Sequence, residues 1–146
     1  MKKGFSIGQM VFLIVAAIVV FKVIIPKFMN KTGGGIAMYQ AASELKTGID
    51  DIRSYYFRNG KFTNIGIMTI SAGFEDKDTL FDFDKPVRYG VNEKGVMNYC
   101  VEVVAKQENG GEYIYVNNTS NNSEACKEFR NHSIVQDLRK VNLAYN

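Results

Sequence analysis

Histidine and cysteine are nearly absent from this 146-residue chain, which has one histidine and two cysteines. The cysteines, Cys100 and Cys126, are far apart, a spacing that does not suit zinc. His132 stands beside Ser133, but neighbours in sequence do not make a nucleophile and base within hydrogen-bonding reach, and a surface histidine is expected. A phosphate-binding glycine loop is missing too: Gly33, Gly34 and Gly35 are followed by Ile36 and Ala37, not by the Lys and Ser or Thr of a P-loop. Charge of one sign is equally scarce. Lys and Arg number 18 against 15 Asp and Glu, a formal +3, and two of the positive charges are Lys2 and Lys3. Net charge therefore offers no argument for nucleic acid or an acidic partner. The expectation is a protein that is not an enzyme and holds no cofactor.

One long apolar run is present. From Phe5 to Ile25 a helix rising about 1.5 Å per residue would cover roughly 30 Å, the thickness of a bilayer hydrocarbon core. A secretory signal would be shorter and would end in small residues at a cleavage site. Here Lys22, Pro26 and Lys27 follow Val20, and the small pair Ala16 and Ala17 sits in mid-run, so the segment is expected to stay with the mature protein. Lys2 and Lys3 keep the N-terminus cytoplasmic by the positive-inside rule and send the remainder outward. Lys22 lies near the outer end of the run, where its stem can lie along the helix and lift the ammonium toward the headgroups. The alternative is a charge contact inside an assembly, with a carboxylate from another subunit. With 46% hydrophobic residues and one spanning stretch, the composition reads as one crossing and one small domain.

The arrangement Lys2-Lys3-Gly4-Phe5, followed by an apolar stretch that ends at Pro26, resembles the type IV pilins and pseudopilins. The likeness is specific over about the first 28 residues and architectural beyond them. It implies a leader 1–4, removed by a prepilin peptidase between Gly4 and Phe5 with methylation of Phe5, and a transmembrane and assembly helix over 5–28. Phe5, Gln9, Lys22 and Pro26 are the assembly residues it points to, Pro26 standing where the family has a helix-kinking proline. Gln9 departs from the pattern, which has glutamate at the fifth mature residue. A carboxylate meeting a neighbour's N-terminus 4 Å away would gain about 4 kcal/mol at an effective dielectric near 20. Glutamine only hydrogen-bonds, which is worth less, and is cheaper to hold in lipid. The family tolerates the loss in subunits that start or cap a filament.

The two cysteines lie in the outward part, where an oxidising compartment allows a Cys100–Cys126 disulfide. Closing a loop of about 27 residues would stabilise the fold by roughly 3.5 kcal/mol in the chain-entropy model. Many pilins close a C-terminal loop in this way.

The resemblance and the residue pattern together predict an α+β, pilin-like fold: a long N-terminal helix, half transmembrane and half amphipathic, packed on a small antiparallel sheet. Residues 29–35 read as a glycine-rich hinge or linker, because each glycine costs a helix about 1 kcal/mol relative to alanine. The head is placed at 36–146. Its amphipathic helix, 36–59, carries one apolar stripe of Met38, Ala42, Leu45, Ile49, Ile52 and Tyr56, and Asn59-Gly60 stops it. Residues 61–86 read as a loop region, in which Ile65, Ile67 and Ile70 suit a short helix or strand. Glu75, Asp76, Asp78, Asp82 and Asp84 are a solvated acidic cluster, with calcium as the lesser alternative since the EF-hand pattern is absent.

A three-stranded meander is predicted over 87–117, with turns at Asn92–Gly95 and Asn109-Gly110-Gly111. Strict alternation puts Met97, Tyr99, Val101 and Val103 against the helix and points Cys100 away from that core. Short helices are expected after Ser123 and Ser133, the latter with Gln136 at capping-box spacing. Lys127, Arg130, Arg139 and Lys140 form a loose basic group, read as solvated surface since Glu124, Glu128 and Asp137 interrupt it. Asn-x-Ser/Thr triplets in the Asn-rich loop are not assigned as glycosylated.

The functional expectation is a filament subunit of a type IV pilus or type II secretion pseudopilus, serving adhesion, motility, DNA uptake or secretion. Its partners would be identical or related pilin subunits, the prepilin peptidase, an inner-membrane assembly platform and the lipid bilayer. Nucleic acid is possible but not indicated, the basic group at Lys127, Arg130, Arg139 and Lys140 touching DNA phosphates only if this were a DNA-uptake subunit. It would sit in the bacterial inner membrane with a periplasmic head before joining a cell-surface or periplasm-spanning filament. The alternative is a membrane-anchored binding module that never polymerises, such as a DNA-uptake or secretion-substrate receptor.

Overall fold

The computed structural model describes residues 14–15 and 34–144. The chain divides into two compact units, Met1–Ala37 and Met38–Asn146, and the fold below belongs to the second. Helix α1 runs Gly34–Asn59 and belongs to that unit from Met38 onward; Gly34 and Gly35 are already helical, while residues 29–33 of the expected hinge lie outside the described residues. The predicted stripe is the buried face: Ala42, Leu45, Ile49 and Ile52 are fully buried, and Met38 nearly so. Tyr56 is half-buried at its end. The helix stops at Gly60, whose N–H bonds the Tyr56 carbonyl at 2.7 Å and whose φ of 71° suits a residue without Cβ.

Residues 61–86 lack periodicity but are tied down throughout. One helical turn, α2, Ile65–Met68, is held from the facing turn at 77–79 by bonds from Ile65 N to Thr79 O and from Gly66 N to Lys77 O. Phe62, Phe74 and Phe81 anchor the segment in the core one at a time, so there is no repeat to read. The segment lies across α1 at Gly48, where a Cβ would stand 2.9 Å from the Phe74 ring. Thr69 Oγ1 donates to Asp51 and Ser71 Oγ donates to the Glu44 carbonyl, fixing that crossing.

Four antiparallel strands follow in sheet order β1-β2-β3-β4: Val87–Glu93, Val96–Glu108, Gly111–Asn118 and Lys140–Asn142. Both hairpin turns, Lys94-Gly95 and Asn109-Gly110, have two consecutive positive φ values, as a two-residue turn matched to strand twist requires. β4, with three residues, was not predicted; it is too short to show alternation.

The predicted face assignment of β2 is corrected by a β-bulge. Tyr89 pairs with Val101 but Gly90 with Tyr99, which leaves Cys100 as an extra residue on β2. The parity changes there. Val101, Val103 and Ala105 face α1 and are fully buried, and Cys100 is buried in the same core instead of pointing away from it. Tyr99 lies on the other face, under the Arg88 guanidinium at 4.8 Å.

The C-terminal helices are α3, Glu124–Asn131, and α4, Ser133–Asp137. Ser123 caps α3 by accepting from Cys126 N. α4 is capped by His132, whose Nδ1 accepts from Ile134 N at 3.2 Å, and not by the predicted Ser133 box; Gln136 instead donates to the Arg130 carbonyl. Phe129 carries α3 into the core, with its ring 6.1 Å from Tyr89.

Candidate functional site

Gly4, Phe5, Gln9, Lys22 and Pro26 lie outside the described residues. Of the apolar run only Ile14 and Val15 are described, both helical and exposed. Among the described residues no helix is long and apolar enough to cross a membrane. The remaining predicted site is present: Cys100 and Cys126 are joined, with their Cα atoms 4.9 Å apart.

A second clasp backs the disulfide. Arg130 is 7% exposed, and one turn of α3 beyond Cys126 it reaches back to the same strand residue, donating from Nε to the Cys100 carbonyl at 2.9 Å. Nη2 donates to Thr119 O and Oγ1, and Nη1 to Asn122 Oδ1. These partners are neutral oxygens, and burial draws the guanidinium's pKa down from its ordinary value. Arg139, also drawn down by burial and then by the charge of Arg130, donates to the Val116 carbonyl at 3.0 Å. The loose basic group is thus solvated in part: Lys127 and Lys140 are exposed and Arg139 half-buried, and only Arg130 is buried. Arg130 and Arg139 bond backbone carbonyls, Lys127 pairs with Glu124 at 3.6 Å, and Lys140 with Glu108 at 3.3 Å. Because Asn-rich loops expose many carbonyls and amides, an arginine folded beneath one has acceptors without a carboxylate, and no charge pattern announces it.

Helix α1 and Phe129 of α3 pack on the inner face of the sheet, and its outer face carries Tyr99, Tyr113 and Tyr115, all half-exposed. Lys140 Nζ sits 4.4 Å from the Tyr113 ring centre and 5.6 Å from that of Tyr115. Beneath the rings Val104, the cross-strand partner of Tyr115, is buried. The Tyr115 hydroxyl donates to Glu108, which holds that carboxyl below its usual range, with help from Lys140. The same bond raises the Tyr115 phenol, and its partners raise Lys140. The cations of this face have carboxylate neighbours: Arg88 with Glu75, Lys106 with Asp84 at 3.7 Å, Lys140 with Glu108.

At the β2–β3 turn the face runs into a cleft of about 630 Å³, lined by amide and carboxylate residues that include Gln107, Glu108, Asn109, Glu112 and Asn142. Its inner wall is fixed by the Tyr56 hydroxyl, which donates to Glu112 at 2.8 Å, and by Gln107 Nε2 at 3.1 Å. Burial, then the bond to Glu112, pushes the Tyr56 phenol up to about 12. The alternation in Glu112-Tyr113-Ile114-Tyr115-Val116 was a readable signal for the tyrosine pair, whereas Lys140 arrives on a strand that gave none.

The acidic stretch does not converge. Glu75 turns to Arg88, Asp84 to Lys106, Asp76 accepts from Asp78 N and Asp82 from Phe83 N. Among the described residues no group of three or more His, Cys, Asp or Glu is placed to hold a metal ion. Half-buried His132 caps α4, and Ser133 is exposed.

No protein-family model, curated protein or solved structure matches this chain.

Proposed function

We propose that the chain is a pilin-like filament subunit, cleaved after Gly4, held in the inner membrane by its apolar helix and drawn into a filament through that helix. The observation that carries this reading is the N-terminal arrangement of Lys2-Lys3-Gly4-Phe5, an apolar run to Ile25 and Pro26. An α+β head with an amphipathic helix laid on an antiparallel sheet, closed near its C-terminus by a disulfide, supports it. In this role the chain works by assembly and not by catalysis. A prepilin peptidase, an assembly platform and related subunits are its partners.

Gln9 favours a second reading, a membrane-anchored head that presents a binding surface without polymerising, because the inter-subunit carboxylate of the family pattern is missing. Mass spectrometry of the N-terminal peptide from native cells, beside the sheared surface fraction, separates the two. Loss of Met1–Gly4 with a methylated Phe5, and abundant protein in sheared filaments, is the outcome expected for a filament subunit. An intact Met1 would sink it. Processed protein confined to membranes would assign a minor subunit or pseudopilin.

A further inference from the structure

We propose that the outer face of the sheet, together with the cleft at the β2–β3 turn, is a binding site for a neutral polyhydroxylated ligand, a chain of pyranose sugars. The proposal holds whether the chain polymerises or only anchors a head, because the site lies within the head, on strands β2 to β4, the β2–β3 turn and Ala144 just past β4.

The chemistry of the face narrows the ligand by elimination. Single-stranded nucleic acid stacks on aromatic side chains, but its platforms lie in positively charged grooves. Here Arg88, Lys106 and Lys140 are matched by Glu75, Asp84 and Glu108, and Glu112 adds a further carboxylate to the cleft. A polyanion would meet these four carboxylates against three cations. A peptide added as a fifth strand needs an open edge. β1 is met along its outer edge by bonds from Gly90 N to Gly73 O and from Glu75 N to Arg88 O, and Arg53 Nε takes the Asn142 carbonyl of β4. An apolar partner would need a continuous apolar patch, and here the tyrosines alternate with charges.

A pyranose fits what remains, because it offers a flat face of C–H groups rimmed by hydroxyls. Tyr113 and Tyr115 supply two plates with polar edges, 6.3 Å apart and tilted 51° to each other, with the buried Val104 opposite Tyr115. Carboxylates accept from hydroxyls in charge-assisted bonds, and amides both donate and accept. Glu108 and Asn142 belong to the cleft and stand beside the tyrosines, so a sugar stacked on one of the rings would lead the next into the cleft, whose volume lies within the usual range of small-ligand sites. Lys140 covers the rings and pairs with Glu108 at 3.3 Å, so a sugar stacked there would displace its ammonium from the rings. The ammonium would then donate to a ring oxygen or hydroxyl of the sugar while staying beside Glu108.

The test uses the full chain in phospholipid nanodiscs, which avoids glycoside detergents, titrated by calorimetry with cellotetraose, mannotetraose and chitotetraose. Hydrogen exchange is recorded in parallel. Binding of at least one sugar is expected, with exchange protection confined to 104–115 and 138–144. The double change Tyr113→Ser and Tyr115→Ser should weaken it by at least about tenfold. Glu108→Gln, which keeps the shape of the side chain, should weaken it several-fold, so a folding defect in the double variant does not decide the matter. Absence of binding to all three sugars would overturn the proposal. So would protection elsewhere on the head, or binding of an oligothymidine in place of every sugar.

Discussion

Helix α1 and the C-terminal segment 119–144 both dock on one sheet, but different forces hold them. The helix is held by fully buried Leu45, Ile49 and Ile52, an apolar contact with little directional demand. The C-terminal segment brings Phe129, Val135 and Leu143 into the core, yet its placement is set by a covalent bond and by two arginines, Arg130 buried and Arg139 half-buried, aimed at backbone carbonyls. An apolar stripe tolerates small slips. A guanidinium forked between the carbonyls of Cys100 and Thr119 does not, so the C-terminal segment is the more exactly registered of the two, although its helices are short.

The contrast can be broken from its apolar side first. Leu45→Ala should cost about 4 kcal/mol through lost burial and the cavity left behind, read as a lower urea midpoint, while the Cys100–Cys126 bond still forms. Reducing the disulfide should cost roughly 3.5 kcal/mol. Hydrogen exchange would then show α3 still protected, because Arg130 keeps its hold on Cys100 O. Arg130→Met should cost about 2 kcal/mol by leaving buried carbonyls unpaired. Since both anchors end on Cys100, the double change should depart from additivity, and strict additivity in a double-mutant cycle would dissolve the idea of a shared clasp.

Alkaline titration sharpens the comparison on the helix side. Burial pushes the Tyr89 phenol up to about 12, and its hydroxyl donates to the Ala41 carbonyl of α1. A folded value above the unfolded 10 means the protonated phenol is favoured in the fold. That contribution is complete below pH 10 and is lost as pH rises toward 12. Urea midpoints should fall over that window, and Tyr89→Phe should flatten part of the fall, leaving the part due to Tyr56. The smallest effect is Ser123→Ala, about 1 kcal/mol from the lost cap of α3.

What could be read from the sequence follows the same division. The stripe of α1 repeats with helical period, and the meander announces itself through alternation and paired turn residues, so both were legible. The bulge at Cys100 was not: one extra residue leaves every side chain chemically plausible on either face, and only pairing with Gly90 reveals the slip. That slip sends Met97 and Tyr99 off the predicted core face and Cys100 into the core. Arg130 was hidden for another reason. Sequence reading looks for a charge's opposite partner, and this charge is met by carbonyls and an amide. The tyrosine face was half legible, since the spacing of Tyr113 and Tyr115 shows one surface, but its lysine comes from β4, a strand with no period of its own. The processing and assembly residues remain a matter of sequence alone.

The clasp at Cys100 also orders events in time. Strand β2 is made well before Cys126 and Arg130 exist, so a growing chain carries an unpaired thiol on a strand whose inner face is not yet closed from the C-terminal side. The thiolate fraction of such a group attacks whatever disulfide or oxidant reaches it. Synthesis cut short between residues 100 and 126 would thus leave a reactive sulfur, where the finished chain leaves none among its described residues. The same bond that steadies the completed head serves as a mark of completion, and a thiol-reactive probe would tell finished chains from unfinished ones.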